Sequence, residues 1–265
     1  MKILNEKLKI AVVKMTGCAG CQMEFLRLED ELLDLLKNVE ISYFVMAKRV
    51  NLEGPYDATF IEGSISTPRE LNELRELRAK SKVLIAFGDC ACTGCIPSIL
   101  NWVPPAVSAK VYEDFSAIHS KKESFQRIIP LKEFVKVDIE LKGCPPHKNL
   151  ILEVVKSALI QRKPFLRVHP VCIECKLKEN ICLLTFEGRP CMGPVTAAGC
   201  GALCPSLNRV CEGCYGPMSD ANAKSLAETF INKCGLSRED VARKFRKYAG
   251  ITPALFEEAN KNYEH

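Results

Sequence analysis

Cysteine is concentrated in one short stretch of this chain. Eight of the fifteen cysteines fall within residues 172–214, where two C-x-x-C steps, at 172–175 and 211–214, frame the stretch and a proline follows Cys204. A hydrophobic core does not need so many thiols. Two thiolates spaced in this way reach one inorganic centre without straining the backbone, and a proline after a ligand cysteine recurs in iron–sulfur proteins. The stretch is therefore predicted to be a looped wrap around what it binds.

Two other uses of such a stretch are a disulfide scaffold and a zinc ribbon. Disulfides belong to oxidising compartments, and the opening residues 1–7 carry no signal-peptide pattern, so a disulfide scaffold is disfavoured. Spaced C-x-x-C pairs are typical of structural zinc sites, but a zinc site takes four sulfurs and would leave the others idle. A zinc-stabilised interaction module is kept as an alternative.

Composition indicates an ordinary globular protein. The length of 265 residues favours one sizeable α/β domain with a smaller appendage. No apolar run approaches the length of a membrane span, so we expect a cytoplasmic protein without one. The formal net charge is +5, but basic and acidic residues are interleaved, which is typical of a solvated surface. Nucleic acid is therefore not an expected partner.

Strands and helices alternate through the first half of the chain. Apolar runs predict strands over 8–15, 40–47, 57–65, 82–87 and 135–141, and helical spacing predicts helices over 22–39, 67–80 and 147–162. This alternation implies a parallel sheet wound in βαβ units. After the cysteine-rich stretch, helices are expected near 221–232, 239–248 and 253–263, in a tail without evident chemistry.

Cysteines follow the carboxyl ends of three predicted strands. Cys18 and Cys21 follow the first strand, a group at 90–95 follows the fourth, and Cys144 follows the fifth. This edge is where open α/β sheets bind ligands, so we expect cysteines more than a hundred residues apart to converge on one site. Taken alone, Cys90 or Cys92 could equally be a small buried residue.

Six short motifs occur in a fixed order along the chain. They are Cys18-x-x-Cys21, Glu62-Gly-Ser, Gly88-x-Cys90-Ala, Gly143-Cys144-Pro-Pro, Cys191-x-Gly-Pro-Val-Thr-x-x-x-Cys200 and Cys211-x-Gly-Cys214. Together, over about residues 8–218, they resemble the small, electron-transferring subunit of [NiFe] hydrogenases. The all-cysteine second half and the missing export signal look most like the cytosolic group that includes the delta subunit of sulfhydrogenases and NAD(P)-linked hydrogenases.

The resemblance implies two domains and three [4Fe–4S] clusters. A flavodoxin-like parallel-sheet domain, residues 1–163, would hold the proximal cluster, and a smaller, irregular domain, residues 164–265, the medial and distal clusters. The proximal ligands would be Cys18, Cys21, Cys90 and Cys144. The distal ligands would be Cys172, Cys175, Cys182 and Cys191, and the medial ligands Cys200, Cys204, Cys211 and Cys214.

The second half departs from the membrane-linked relatives. Those proteins use a histidine as one distal ligand and only three cysteines for a medial [3Fe–4S] centre. Here three further cysteines precede Cys191, and Cys204 lies inside the medial group. We therefore infer two more four-cysteine cubanes, with His169 left open as an alternative distal ligand.

Twelve ligands leave three cysteines unused, namely Cys92, Cys95 and Cys234. We expect them to be structural thiols, although Cys92 could compete with Cys90 as a ligand. Cys95 stands where the family pattern normally has glycine. A redox sensor built on the Cys92/Cys95 pair stays open, but nothing in the sequence demands it.

Other groups around the proximal site have expected roles. Glu62 could hydrogen-bond near the site or cap a helix. Backbone amides could donate to cluster sulfurs and so tune the potential; the candidates are Gly17, Gly20, Gly88 and Gly143.

The chain lacks the motifs R-x-C-G-x-C and D-P-C-x-x-C-x-x-H, which bind nickel and iron in the hydrogenase large subunit. We therefore expect hydrogen cleavage on a partner large subunit and electron transfer here, to a flavin or iron–sulfur NAD(P)-reductase subunit. A complex-I-like cluster subunit is the alternative, although it has two adjacent cysteines at its first ligand position and no second cluster domain. NADP, NAD, coenzyme F420, ferredoxin and sulfur all stay open as acceptor.

Overall fold

Five parallel strands form the centre of the structure, a computed structural model that describes residues 7–104, 107, 127–249 and 252. The strands are β1 (Leu8–Lys14), β2 (Val39–Phe44), β3 (Tyr56–Glu62), β4 (Ser81–Phe87) and β5 (Ile139–Leu141). Their order across the sheet is β2-β1-β3-β4-β5, with every neighbouring pair parallel. This is the flavodoxin-like order, so the predicted fold class is confirmed.

Helices cover both faces of the sheet, and successive residues of one strand enter different cores. Ile10 and Val12 of β1 join one apolar cluster, while Ala11 and Val13 join another. The first cluster packs against α1 (Gly20–Leu26), α2 (Asp30–Leu35) and α5 (Lys148–Leu159), and the second against α3 (Pro68–Lys80) and α4 (Asp89–Thr93). Burial on both faces explains the continuous apolar strands seen in the sequence.

Two elements differ from their predictions. The helix expected over 22–39 is wrong: it is interrupted between α1 and α2, where Glu29 has a positive φ of 51° and Leu28 turns fully into the core. The strand expected over 135–141 keeps only the three residues of β5. The chain before it forms a 3-10 turn at Leu131–Glu133.

A further apolar cluster lies beyond the sheet. Four helices contribute to this second region: α6 (Val171–Leu177), α7 (Leu203–Ser206), α8 (Ala223–Cys234) and α9 (Arg238–Ala249). Val171, Met192, Phe230 and Phe245 pack in its core. The tail helices expected near 221–232 and 239–248 are confirmed as α8 and α9, and the one expected over 253–263 lies outside the described residues. Every helix that the structure describes is too short or too polar to cross a bilayer.

Specific contacts join the second region to the sheet region. The Thr93 hydroxyl donates to the Tyr248 carbonyl (3.0 Å) and the Lys142 ammonium to the Pro217 carbonyl (2.8 Å). The Arg246 guanidinium lies 4.0 Å from the centre of the Trp102 ring, within cation–π distance. These contacts lie beside α4, which carries Cys90. The boundary at residues 163 and 164 stays a prediction.

Candidate cluster sites

Four cysteines converge at the carboxyl edge of the sheet. Cys18 and Cys21 lie at the start of α1, Cys90 on α4 after β4, and Cys144 after β5. Burial is the main reason why the pKa of Cys21 is raised, and nearby Glu62, Cys90, Cys144 and Cys18 add to it. The four residues predicted as proximal ligands are therefore brought together. Positive iron would reverse this preference for the protonated thiol, since a coordinating thiol loses its proton.

Gly88 makes room for one of these sulfurs. A β-carbon on Gly88 would lie 2.2 Å from the Cys21 Sγ, and the residue has a positive φ of 87°. Such a conformation favours glycine, and the distance excludes any side chain. The space left by the missing side chain of Gly88 therefore suits a cysteine sulfur at the edge of a cluster.

Backbone amides and Glu62 arrange the loop around Cys18 and Cys21. The Gly20 amide donates to the Cys18 Sγ (3.3 Å), and the Gly88 amide donates to the Leu141 carbonyl (2.9 Å). The buried Glu62 carboxylate accepts from the Cys21 amide (3.4 Å) and the Gln22 amide (3.2 Å). Glu62 thus serves both expected purposes, because it binds the first turn of α1 beside the proximal cysteines.

A second group of four cysteines surrounds the start of the second region. Cys172 and Cys175 lie on α6, and Cys182 and Cys191 follow in loops. Burial, followed by nearby Cys191, Cys175 and Cys182, raises the pKa of Cys172 to about 11. All four line one apolar cavity, and a β-carbon on Gly193 would lie 3.2 Å from the Cys172 Sγ and 3.6 Å from that of Cys191. These are the predicted distal ligands.

The third group lies between the other two. Burial raises the pKa of Cys214 to about 12, with further contributions from Cys200, Asp89, Cys144 and Cys204. Cys211 completes the group, since Cys214 in turn raises its pKa after burial and Cys191. These four cysteines are the predicted medial ligands.

One hydrogen bond and one electrostatic effect connect the three groups in sequence. The Cys211 amide donates to the Cys191 Sγ (3.2 Å), which joins the medial and distal groups. On the other side, Cys144 of the proximal group is close enough to raise the pKa of Cys214, after burial, Cys200 and Asp89. The order is therefore proximal, medial, distal.

The donor set is one that iron–sulfur clusters use. Each of the three groups offers four cysteine thiols, and [4Fe–4S] clusters are held by four cysteine thiolates. The residues present therefore fit such clusters. Among the described residues, no three His, Cys, Asp or Glu side chains lie close enough together to hold a single metal ion.

His169 and the remaining cysteines occupy distinct places. The His169 Nδ1 contacts the carbonyl of Pro170 (3.2 Å). The buried Cys92 points away from the site, with its Sγ 3.5 Å from the Ala86 carbonyl, so it does not approach the place of Cys90. Cys234 lies on α8, partly buried against the second core. No disulfide joins Cys92 to Cys95, both of which are free.

Cys95, which the sequence predicts to be a structural thiol, interacts with two of the proximal cysteines. Its side chain is fully buried. Interaction with the thiols of Cys144 and Cys90, followed by burial, raises the pKa of Cys95, while interaction with Cys95 lowers the pKa of Cys144 to about 7. The sequence did carry one signal for a role at the site: the chain has cysteine at a position where the family pattern normally has glycine.

Two buried carboxyls were also missed. Glu174, on α6 between Cys172 and Cys175, accepts from the Gly199 amide (3.1 Å) and the Gly201 amide (2.9 Å), which flank Cys200. Asp89 is 1% exposed and lies against Gly216, whose β-carbon would be 2.8 Å from its Oδ1. The sequence places neither of them near a cysteine of another segment.

Comparison with known proteins identifies the family. The family model described as "NADH ubiquinone oxidoreductase, 20 Kd subunit" matches residues 18–158. This range contains the strands β2 to β5, together with all four proximal cysteines.

Relatives cover more of the chain than the family model does. The delta subunit of sulfhydrogenase 2 from Pyrococcus furiosus is 35% identical, over 91% of this chain and 99% of its own length. A subunit of the F420-non-reducing hydrogenase (vhu) from Methanocaldococcus jannaschii is 35% identical, over 78% of this chain and 81% of its own. A chain of the NAD+-reducing [NiFe]-hydrogenase crystal structure in the H2-reduced state is 27% identical, with a TM-score of 0.53 over 60% of this chain and 95% of that one.

Proposed function

This chain belongs to the hydrogenase subunits within the NADH ubiquinone oxidoreductase 20 Kd subunit family, and we propose that it carries electrons through three [4Fe–4S] clusters. Its partner at one end is the large subunit that holds the Ni–Fe site. Its partner at the other end is a flavin or iron–sulfur subunit that serves NAD(P). The location that suits these partners is the cytoplasm.

The proposal depends chiefly on the spatial order of the three cysteine groups, which is proximal, medial, distal. The Lys142 ammonium donates to the Pro217 carbonyl, which brings the segments of Cys144 and Cys214 together, and the Cys211 amide of the medial group donates to the Cys191 sulfur of the distal group. When bound, iron–sulfur clusters accept and release electrons at potentials set by charge, hydrogen bonds and exposure. A continuous series of such sites is what transfer between two partner proteins needs.

The residues of this chain would hold and protect the clusters. Metal binding would displace protons from thiols such as Cys172 and Cys214, because burial raises the pKa of Cys172 to about 11 and that of Cys214 to about 12. The Gly20 amide donates to the Cys18 sulfur and the Cys211 amide to the Cys191 sulfur. Such hydrogen bonds stabilise a negative cluster and raise its reduction potential.

A complex-I-like role is the second candidate, because the family model is named for that enzyme. Two features favour the hydrogenase role: the first ligands are separated as Cys18-x-x-Cys21, and eight further cysteines follow in the second region. The P. furiosus relative includes that second region, since the match covers 91% of this chain. If the chain were a zinc-stabilised interaction module, its function would not require three neighbouring cysteine groups in a series.

The test separates electron transfer from hydrogen cleavage. We expect Cys214→Ala, in the complex with both the large subunit and the NAD(P)-serving subunit, to leave exchange between H2 and D2O unchanged, because that reaction occurs on the large subunit. Reduction of NAD(P)+ by H2 is expected to fall by at least about 10- to 100-fold. Mutation of residues that only support metal ligands already costs about this much activity. Cys234→Ala is the control and keeps both activities. Equal NAD(P)+ reduction in the Cys214→Ala complex and the wild-type complex would contradict the proposed path.

A further inference from the structure

Helix α9, for which the sequence gives no evident chemistry, is anchored on both regions of the structure. Phe245 is buried in the core of the second region. The Thr93 hydroxyl donates to the Tyr248 carbonyl (3.0 Å), and the Arg246 guanidinium lies 4.0 Å from the centre of the Trp102 ring. Thr93 is on α4, and Trp102 ends the 3-10 helix that follows it. The helix therefore presents its other side chains from a fixed position.

Two lysines of α9 bind one carboxylate. The Lys244 ammonium lies 3.1 Å from the Glu212 Oε1, and the Lys247 ammonium lies 3.1 Å from the Glu212 Oε2. The lysines are three residues apart and so share one side of the helix. Only 14% of the Lys244 side chain is exposed. Because each oxygen has its own partner, the carboxylate is fixed in orientation as well as in position.

Glu212 belongs to the loop that carries two medial cysteines. It lies between Cys211 and Cys214 in the second C-x-x-C step, and the Cys211 amide donates to the Cys191 sulfur of the distal group (3.2 Å). A hold on Glu212 therefore fixes the loop beside the distal group. Two ammonium groups against one carboxylate also leave one net positive charge next to this loop.

Arg243 shows that an ion pair on α9 need not reach the medial loop. It pairs with Glu239 and Asp240 of its own helix, and 65% of its side chain is exposed. Exposed pairs of this kind contribute little to stability. Lys244 and Lys247 differ because their shared partner lies 32 and 35 residues away, in another segment.

We propose that Lys244 and Lys247 are positioning residues of the medial site, which hold the 211–214 loop through Glu212 and raise the reduction potential of the cluster bound there. The inference rests on the proposed function, because it requires a cluster at the medial site. Net charge helps to set the potential of an iron–sulfur cluster. Reduction adds a negative charge, and a neighbouring positive charge stabilises the reduced form. The tail helix thereby favours transfer of an electron from the proximal to the medial site.

A redox titration of the full-length chain, prepared without oxygen and followed by low-temperature EPR, tests this role. The medial signal is the one that Cys204→Ala changes. Its midpoint potential is expected to become more negative in Lys244→Gln and in Lys247→Gln, and to shift further in the variant with both changes. The proximal and distal potentials are expected to move less. Lys244→Arg/Lys247→Arg keeps both positive charges and is expected to titrate like the wild type.

Arg243→Gln is the matched control, since it removes one positive charge from the same helix without touching Glu212. It is expected to keep the wild-type potential. Loss of the medial signal from the glutamine variants alone would equally support the hold on the loop. An unchanged medial potential in the double glutamine variant would overturn the inference, and so would an equal shift in Arg243→Gln. If the double variant is insoluble, Lys247→Gln decides in the same way.

The iron content of the wild-type chain separates this inference from the proposed function. About twelve irons per chain, together with an unchanged medial potential in the glutamine variants, would refute the role of the lysines alone. A wild-type chain without iron would refute the proposed function, and the role of the lysines would fail with it.

Discussion

At Gly88, a missing side chain gives the Cys21 sulfur its place. The β-carbon of any other residue would lie 2.2 Å from that sulfur, far inside van der Waals contact. The Gly88 amide is also bonded to the Leu141 carbonyl, which holds the backbone where it is. Sulfur positions in this protein are thus fixed by backbone shape as much as by the cysteines themselves.

We expect Gly88→Ala to lose the proximal cluster while keeping the others. Iron falls from about twelve to about eight per chain, because Cys21 must move away from its partners. The matched control is Gly235→Ala, where φ is also positive at 70° but no atom lies within 4 Å of the added carbon. That variant carries backbone strain of about 1–2 kcal/mol without a steric clash. Full iron content in Gly88→Ala would disprove this role of Gly88.

A pH effect is expected from Asp89. Burial raises the pKa of this carboxyl well above its usual value of 3.8. Above pH 4 the unfolded chain has lost this proton while the folded chain keeps it, so the free energy of unfolding decreases as pH rises towards the folded pKa. The contribution is at most about 1.4 kcal/mol per pH unit.

Denaturant unfolding of wild-type and Asp89→Asn proteins between pH 5 and pH 8, without oxygen, measures this effect. The variant is expected to lose less stability across the range, because the amide does not ionise. Asp220→Asn changes an exposed carboxyl and is expected to follow the wild-type profile. Parallel profiles for Asp89→Asn and wild type would show that Asp89 ionises normally.

Helix α6 connects two cluster sites through one side chain. Cys172 and Cys175 of this helix belong to the distal group. The carboxylate of Glu174, between them, accepts hydrogen bonds from the amides of Gly199 and Gly201. These two glycines flank Cys200 of the medial group. Arg167 lies 3.6 Å from the same carboxylate. The short helix therefore fixes the distance between the distal and medial groups.

We expect Glu174→Gln to weaken the medial site. One carboxylate oxygen becomes an amide donor facing a backbone N–H, and a buried group left without its hydrogen bond costs about 1–3 kcal/mol. Loss of iron on mild chelation, followed by absorbance and EPR, is expected to be faster at the medial cluster than in wild type. Glu179→Gln, an exposed carboxyl just after the same helix, is the control. Equal chelation rates in all three proteins would mean that Glu174 does not support the site.

Sequence patterns predicted the sheet well because its signals are local. Buried apolar strands and the capping box of α3, where Thr67 and Glu70 bond reciprocally, each depend on a few neighbouring residues. The break between α1 and α2 was missed, since helical spacing continues through it and only the core determines where Leu28 turns. Tertiary packing decided that element.

The candidate sites divide in the same way. Placing Cys18, Cys21, Cys90 and Cys144 together required only the rule that strand ends of a parallel sheet share an edge. The orientation of the Cys92 thiol towards the Ala86 carbonyl depends on how α4 packs against the sheet. The contacts of Glu174 join segments about 25 residues apart, in a region whose Gly and Pro residues give no periodic signal.

At the scale of the whole molecule, two differently built regions together form one series of sites. The sheet region positions its cysteines by regular topology, and the second region by loops around a small core of its own. Contacts from Lys142 and Thr93 join the two regions, and the partner of Lys142, Pro217, lies three residues after Cys214. In the proposed function, this arrangement places the proximal group at the end that would face the large subunit and the distal group at the end that would face the acceptor.

Metal analysis of the full-length chain, purified without oxygen, tests the central claim most directly. Iron, acid-labile sulfide and zinc are measured against protein concentration. About twelve irons and twelve sulfides per chain are expected for three cubanes. About one or two zincs without sulfide would contradict the account, because the second region would then be a structural zinc module and no path for electrons would exist.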